Sequence, residues 1–189
     1  EKAHCRVWGV DVSPAMVEIT RGRLPRGAAA RCAPAERLPF RDASFERVTM
    51  SLVVHLVDRP AAFAEAARVL EPEGVLVIGT FAPSHFDTYW AAPFFPSIRT
   101  IDRERFPSPD DLLGELGLAG FEKITMTGLL DREPLEREIA LERIRGRHIS
   151  TFDLLEERDL AAGTARAEAE LAASVEVIVD QLIVTGRLP

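Results

Sequence analysis

Only two cysteines occur among the 189 residues, Cys5 and Cys32. Two isolated thiols make neither a zinc site nor a disulfide scaffold. Each sits beside a predicted strand, so core packing is their default role, and a reducing, cytoplasmic setting is expected. No apolar run approaches the roughly 20 residues that cross a bilayer, and no signal peptide is visible. Positive charge is short as well. The net charge of −7 disfavours a broad nucleic-acid surface, because neutralising phosphates takes clustered Lys and Arg. The one local cluster, Arg143, Arg145, Arg147 and His148, reads as a solvated helix end. No metal-ligand spacing is present, and His4 and His148 have no supporting context. Repeats and low-complexity linkers are missing too. What remains has an ordinary globular composition, 47% hydrophobic and 28% charged, in a chain long enough for one domain with a sizeable core.

Strand and helix patterns alternate along that chain. Cys5 to Asp11 reads as a buried strand ending in an acid. Ser13-Pro14 starts a helix over Ala15 to Leu24, Ser as N-cap and Pro at the first helical position. Arg31 to Ala33 is a short edge strand and Phe45 to Leu52 the next strand. Pro60 to Leu70 is an amphipathic helix with Phe63, Ala66, Ala67 and Leu70 on one face. Pro72-Glu73-Gly74 marks a turn, and Val75 to Thr80 an apolar strand of the kind buried in a parallel sheet. Residues 84–109 lack a clean period and hold Phe86, Tyr89, Trp90, Phe94, Phe95 and Phe106; they read as an inserted lid. A helix over Asp110 to Leu118 is capped by Ser108 and stopped by Gly117 and Gly120. A strand over Phe121 to Thr127, helices over Glu133 to Gly146 and Leu154 to Ser174, and a last strand over Val175 to Thr185 complete an α/β layered sheet.

Open parallel sheets bind ligands at the carboxyl ends of their strands. That rule selects Asp11, the Cys32 to Glu36 loop, Ser51 to His55, and Thr80 onward. Asp11 either accepts the two hydroxyls of a ribose or caps the helix that follows.

Several segments taken together carry a family resemblance. They are Trp8-Gly9-Val10-Asp11-Val12-Ser13-Pro14-Ala15-Met16-Val17, Ala35-Glu36-Arg37-Leu38-Pro39-Phe40, Asp42-Ala43-Ser44-Phe45-Glu46-Arg47-Val48, Ser51 to Asp58, and Ala67-Arg68-Val69-Leu70-Glu71-Pro72-Glu73-Gly74-Val75-Leu76. In this order and at these intervals they resemble the class I S-adenosylmethionine-dependent methyltransferases of the small-molecule type, from that family's second sheet strand onward. The resemblance implies a Rossmann-like, mostly parallel sheet with an antiparallel last strand and helices on both faces. It implies one domain over 1–189, with 84–109 as a lid. It also implies S-adenosylmethionine as cofactor. Asp11 would hold the ribose, Val12 and Met16 would pack on the adenine, the backbone at Ala35 and Glu36 would meet the adenine edge, and Ser51 would face the methionine part.

Two departures from the family pattern stand out. Pro34 occupies the place of an Asp that accepts from the adenine amino group, and Pro offers neither a side-chain acceptor nor an N–H. The family's first strand and its Gly-rich loop are absent. Because unpaired backbone groups are not tolerated mid-sheet, a strand-helix unit of about 30 residues is expected to precede Glu1 in the intact protein.

Methyl transfer needs alignment of the acceptor and exclusion of water, and a base only where the acceptor loses a proton. His55 is the candidate base, with structural packing as its alternative. His85, Tyr89 and Trp90 are candidates to meet a small, partly apolar acceptor, and Arg105, with Arg99 and Arg103, to recognise a carboxylate. The aromatic lid forms a pocket, a satellite core or a homodimer contact. Two rival functions remain. An NAD(P)-dependent oxidoreductase shares the acid after the second strand but leaves the Leu38-Pro39-Phe40 loop and the Arg68 to Gly74 pattern unexplained. A non-catalytic, methyltransferase-like binding or regulatory protein is favoured by Pro34 and the missing loop.

Overall fold

The computed structural model describes residues 5–189; His4 lies outside them. Strand β1 (Trp8–Asp11) pairs in parallel with β2 (Ala29–Cys32), placing Trp8 opposite Ala29 and Asp11 opposite Cys32. Between them runs helix α1 (Pro14–Arg21), entered as its sequence predicts: the Ser13 side chain accepts from the Met16 amide and Pro14 holds the first helical position. A second sheet has the order β3-β4-β6-β5. Its strands are β3 (Phe45–Ser51), β4 (Leu70–Phe81), β5 (Glu122–Glu136) and β6 (Ser174–Arg187). Helix α2 (Arg59–Val69) joins β3 to β4.

Hydrogen bonds at the strand ends fix the directions. The Ser44 amide, just before β3, donates to Val69 O, just before β4, so these two strands start together and run in parallel. The Ala82 amide donates to Asp180 O and the Leu188 amide to Gly74 O, so β6 runs against β4. Thr125 meets Thr185 through their hydroxyls, and the Arg137 amide donates to Ala173 O, so β6 also runs against β5. The last strand is thus antiparallel in an otherwise parallel, Rossmann-like arrangement.

The chain packs as two compact units, one of Glu1–Val77, Leu112–Thr125 and Thr185–Pro189, the other of Ile78–Asp111 and Met126–Val184. In the first, α2 turns Ala62, Phe63, Ala66 and Val69 inward, and Leu76, Leu112 and Leu116 are fully buried. Of the expected inner face, Phe63, Ala66 and Leu70 are buried, while Ala67 is only half-buried. Helix α4 (Pro109–Leu118) starts as expected, the Asp111 amide donating to the Ser108 hydroxyl and the Asp111 carboxylate accepting from the Ser108 amide. The Pro72-Glu73-Gly74 turn lies within the extended run of β4: Glu73 has φ 61°, and a Cβ on Gly74 would sit 2.6 Å from Glu71 O.

The opening strand is not buried. Trp8 is 41% exposed, and β1 has β2 as its sole strand partner among the described residues. Both cysteines are likewise exposed rather than packed in a core: Cys5 precedes β1, and Cys32 ends β2 with its thiol donating to Val12 O at 3.4 Å.

The second unit is built on α3 (Ser97–Arg105), α5 (Arg137–Arg145) and α6 (Glu157–Glu170). Its core joins Phe95, Ile98, Leu141, Ile144, Phe152 and Ala167. Helix α5 starts later than the sequence suggests, because Glu133 to Glu136 continue β5. Gly163 in α6 sits against Phe95, and an added Cβ would overlap that ring and come within 2.8 Å of Phe94 O. Gly→Ala inside a helix ordinarily gains about 1 kcal/mol. Gly163→Ala is instead expected to destabilise by about 1–3 kcal/mol, the overpacking range, as read by urea unfolding; a stabilised variant would contradict this close approach.

Candidate functional site

In the first unit, the carboxyl ends of β1 and β3 carry the residues singled out from the sequence. Asp11 ends β1 and is exposed. Its Oδ1 accepts the Ser13 amide at 2.8 Å, which shapes the entry to α1. Its Oδ2 has no protein donor among the described residues, so one carboxylate oxygen serves the turn and the other faces outward. Beside it, Val12 is 65% and Met16 49% exposed. Apolar side chains this open, next to a carboxylate at a strand end, leave the shelf unfilled by the protein's own groups.

The loop after β2 brings Ala35 and Glu36, both half-buried. Glu36 Oε1 accepts the Asp58 amide at 2.9 Å, tying this loop to the N-cap of α2. Pro34 accepts the Arg37 amide on its carbonyl and closes a turn. Ser51 ends β3, exposed. Leu52 follows with φ 50°, a left-handed backbone unusual for a branched side chain and costing on the order of 1–3 kcal/mol. Sequence reasoning passes over Leu52, since nothing in a Leu signals such a conformation. His55 is half-buried in the turn that precedes α2.

The second unit holds the remaining candidates. His85 lies in a short 3-10 turn, Pro83–Asp87, only 5% exposed. Its ring stacks on Phe81 at 4.0 Å, and its Nδ1 accepts the Asp180 amide at 3.4 Å. Burial lowers its pKa below the usual imidazole value, which keeps it neutral. Tyr89 and Trp90 are half-buried and pack against the apolar core of this unit, whereas Phe86 and Phe95 are buried. Burial first, then the charge of Asp102, pushes the Tyr89 phenol pKa up.

Arg105 is engaged within the protein. It donates to Asp102 at 3.4 Å, to the Thr151 hydroxyl at 3.0 Å and to the Ser150 hydroxyl at 3.1 Å. The Thr151 hydroxyl donates in turn to Asp102 at 2.5 Å. Burial raises the Asp102 pKa, and Thr151 and then Arg105 oppose that rise. Arg99 donates to the carbonyls of Phe86 and Asp87, and Arg103 pairs with the Asp87 carboxylate at 2.5 Å. These three arginines hold neighbouring segments in place.

An open groove of about 390 Å³ runs between α5 and α6 in the second unit, lined by Ile144, Arg145, Arg147, Glu157, Leu160 and Glu168 among others. It contains none of the expected site residues, and its charges pair with one another, Arg145 with Glu168 and Arg147 with Glu157, each at 2.6 Å. Among the described residues no cluster of His, Cys, Asp and Glu is arranged to hold a metal ion, and no helix is long and apolar enough to cross a membrane.

Comparison with known proteins adds four findings. The family described as "Methyltransferase domain" matches residues 1–78. An O-methyltransferase of Penicillium expansum is 32% identical over 130 residues, covering 66% of this chain and 46% of that protein. A ubiquinone/menaquinone biosynthesis C-methyltransferase of Citrifermentans bemidjiense is 35% identical over 88 residues, covering 42% of this chain and 37% of that protein. The chain therefore spans less than half the length of either relative. Among solved structures, a methyltransferase from an antibiotic biosynthesis pathway of Anabaena variabilis superimposes with a TM-score of 0.72 at 20% identity, covering 95% of this chain and 81% of that one. At that identity the likeness speaks for the fold.

Proposed function

We propose that the protein transfers a methyl group from S-adenosylmethionine to a small, partly apolar acceptor, a reading supported by the match of residues 1–78 to the methyltransferase-domain family and by the Rossmann-like fold. One observation carries the reading: an exposed carboxylate, Asp11, ends a parallel strand with one oxygen turned outward, flanked by the exposed apolar side chains of Val12 and Met16. That set fits a nucleoside. The free oxygen of Asp11 accepts from the sugar hydroxyls, and Val12 and Met16 cover a face of the base. Ala35 and Glu36 offer backbone groups to its edge, from a loop that the Glu36–Asp58 bond holds against α2. Ser51, beside the left-handed Leu52, faces the amino-acid end of the cofactor.

When bound, S-adenosylmethionine supplies an electrophilic methyl on a sulfonium, and the protein's part is to orient the acceptor and keep out water. His55 takes a proton from the acceptor where one must leave. Within the second unit, Tyr89 and Trp90 are the candidates to meet a partly apolar acceptor, with His85 accepting the Asp180 amide and Arg105 tying α3 to Ser150 and Thr151. A reducing, cytoplasmic setting is supported by two exposed cysteines that remain unbonded.

Calorimetry on the full chain with S-adenosylhomocysteine and with NAD tests this reading. The expected result is heat and a raised melting temperature with the first ligand and neither with the second. NAD binding without S-adenosylhomocysteine binding would favour an oxidoreductase. Silence with both at millimolar ligand would favour a non-catalytic relative.

A further inference from the structure

Helix α2 carries a partly buried charged pair beside its buried face. Glu65 and Arg68 bind in a two-point fork, Arg68 Nε to Oε1 at 2.7 Å and Nη2 to Oε2 at 2.8 Å. A three-residue spacing on a helix makes such pairs common, and on an exposed surface they contribute little. This one reaches further. Arg68 Nη1 donates to the Asp42 carboxylate at 2.7 Å and to Phe40 O at 3.0 Å, and Nη2 donates to Leu38 O at 3.2 Å. Glu65 Oε2 accepts the Leu38 amide at 2.7 Å. From β2, Arg31 donates to Pro39 O at 2.8 Å and lays its guanidinium over the Trp8 ring at 4.8 Å and the Phe40 ring at 5.4 Å.

Three consecutive carbonyls, Leu38, Pro39 and Phe40, are therefore each met by a guanidinium N–H. The segment lies between β2 and β3 and belongs to neither, so no strand ladder satisfies its backbone groups. Side chains do that work: Arg31, 8 residues away, for Pro39, and Glu65 and Arg68, 27 to 30 residues away, for Leu38 and Phe40. Hydrogen bonding to Arg68 holds the Glu65 carboxyl below the usual carboxylate range, and bonding to Glu65 and then Asp42 pushes the Arg68 pKa up. Both groups stay charged across the ordinary pH range.

We propose that Arg68 and Glu65 are positioning residues for cofactor binding: they fix the 36–42 segment so that the backbone at Ala35 and Glu36 meets the base in one arrangement. The proposal rests on the nucleoside reading of the site. Its physical basis is preorganisation, since a loop that must be ordered on binding gives up affinity. Lys cannot replace Arg68, because one ammonium cannot hold a carboxylate fork and two carbonyls in a plane.

Arg68→Gln, Arg68→Lys and the milder Glu65→Gln test it in the full chain. Amide hydrogen exchange at Leu38, Phe40 and Arg41 is expected to quicken in all three, with the amides of α2 between Phe63 and Val69 unchanged. The Kd for S-adenosylhomocysteine is expected to rise about tenfold in Arg68→Gln, the Kd for adenosine by the same factor, and both less in Glu65→Gln. Loop amides that quicken with no change in either Kd would overturn the positioning role and leave the pair a purely structural brace. Loop amides that do not quicken would overturn the clamp itself. If the unaltered chain binds neither ligand, the nucleoside reading fails and the role toward the cofactor falls with it, while the exchange results still report on the clamp.

Discussion

Asp11→Asn is expected to weaken S-adenosylhomocysteine binding by about 1–3 kcal/mol, the range for losing hydrogen bonds to a charged group, while leaving the melting temperature close to that of the parent. The asymmetry follows from the two carboxylate oxygens. Oδ1 accepts the Ser13 amide at 2.8 Å, and an Asn side-chain oxygen can do the same. The outward position becomes an NH2, which cannot accept from a sugar hydroxyl. Asp11→Ala removes both oxygens, so it should show the same affinity loss together with reduced stability from the weakened entry to α1. Calorimetry and a melting curve on the two variants separate the roles. Unchanged affinity in a folded Asp11→Asn would reduce this residue to shaping the turn.

Phe63→Ala carries the largest expected loss of stability, about 3–5 kcal/mol, the range for deleting a buried aromatic ring. Phe63 is fully buried, and its neighbours on the inner face of α2 are Ala62 and Ala66, side chains too short to collapse into the space left. Total stabilities of 5–15 kcal/mol are usual, so most of the margin would go. Urea unfolding followed by circular dichroism measures it. A loss under about 1 kcal/mol would mean that α2 does not anchor the first unit, and the brace it provides for the 36–42 segment would then lack a firm base.

Much of this arrangement is legible locally in the chain. Ser13-Pro14 states where α1 begins and Ser108 where α4 begins, because a cap is written in adjacent residues. The alternation of β3, α2 and β4 follows from apolar period and length. The antiparallel β6 was expected from the family resemblance and stands in the structure. What escaped is non-local. Glu133-Pro134 reads as a helix start, with Pro in the first turn, yet Glu133 to Glu136 continue β5, where the neighbouring Arg132 side chain pairs with Glu176 of β6. The apolar opening segment reads as buried, but among the described residues β1 pairs with β2 alone and Trp8 stays 41% exposed.

The site shows the same division. Asp11, Val12 and Met16 stand together because they are adjacent in sequence or one helical turn apart. The work of Arg68 is invisible in its own helix, where it looks like one half of an ordinary Glu–Arg pair; its meaning comes from carbonyls 28 and 30 residues earlier. The arginines of the 84–109 segment suggested a carboxylate site, and in the folded chain they satisfy the protein's own acceptors. Free and internally bonded guanidinia look alike in sequence.

The central claim is that a nucleoside sits on the shelf beside Asp11, and the Met16 methyl is a direct reporter of it. The chain has three methionines, Met16, Met50 and Met126; Met16 is 49% exposed on that shelf, whereas Met50 is buried in β3. In a methyl NMR titration with S-adenosylhomocysteine, the Met16 resonance is expected to move upfield under the adenine ring current, saturably, with the other two essentially fixed. Saturable binding that leaves the Met16 resonance in place would contradict the account.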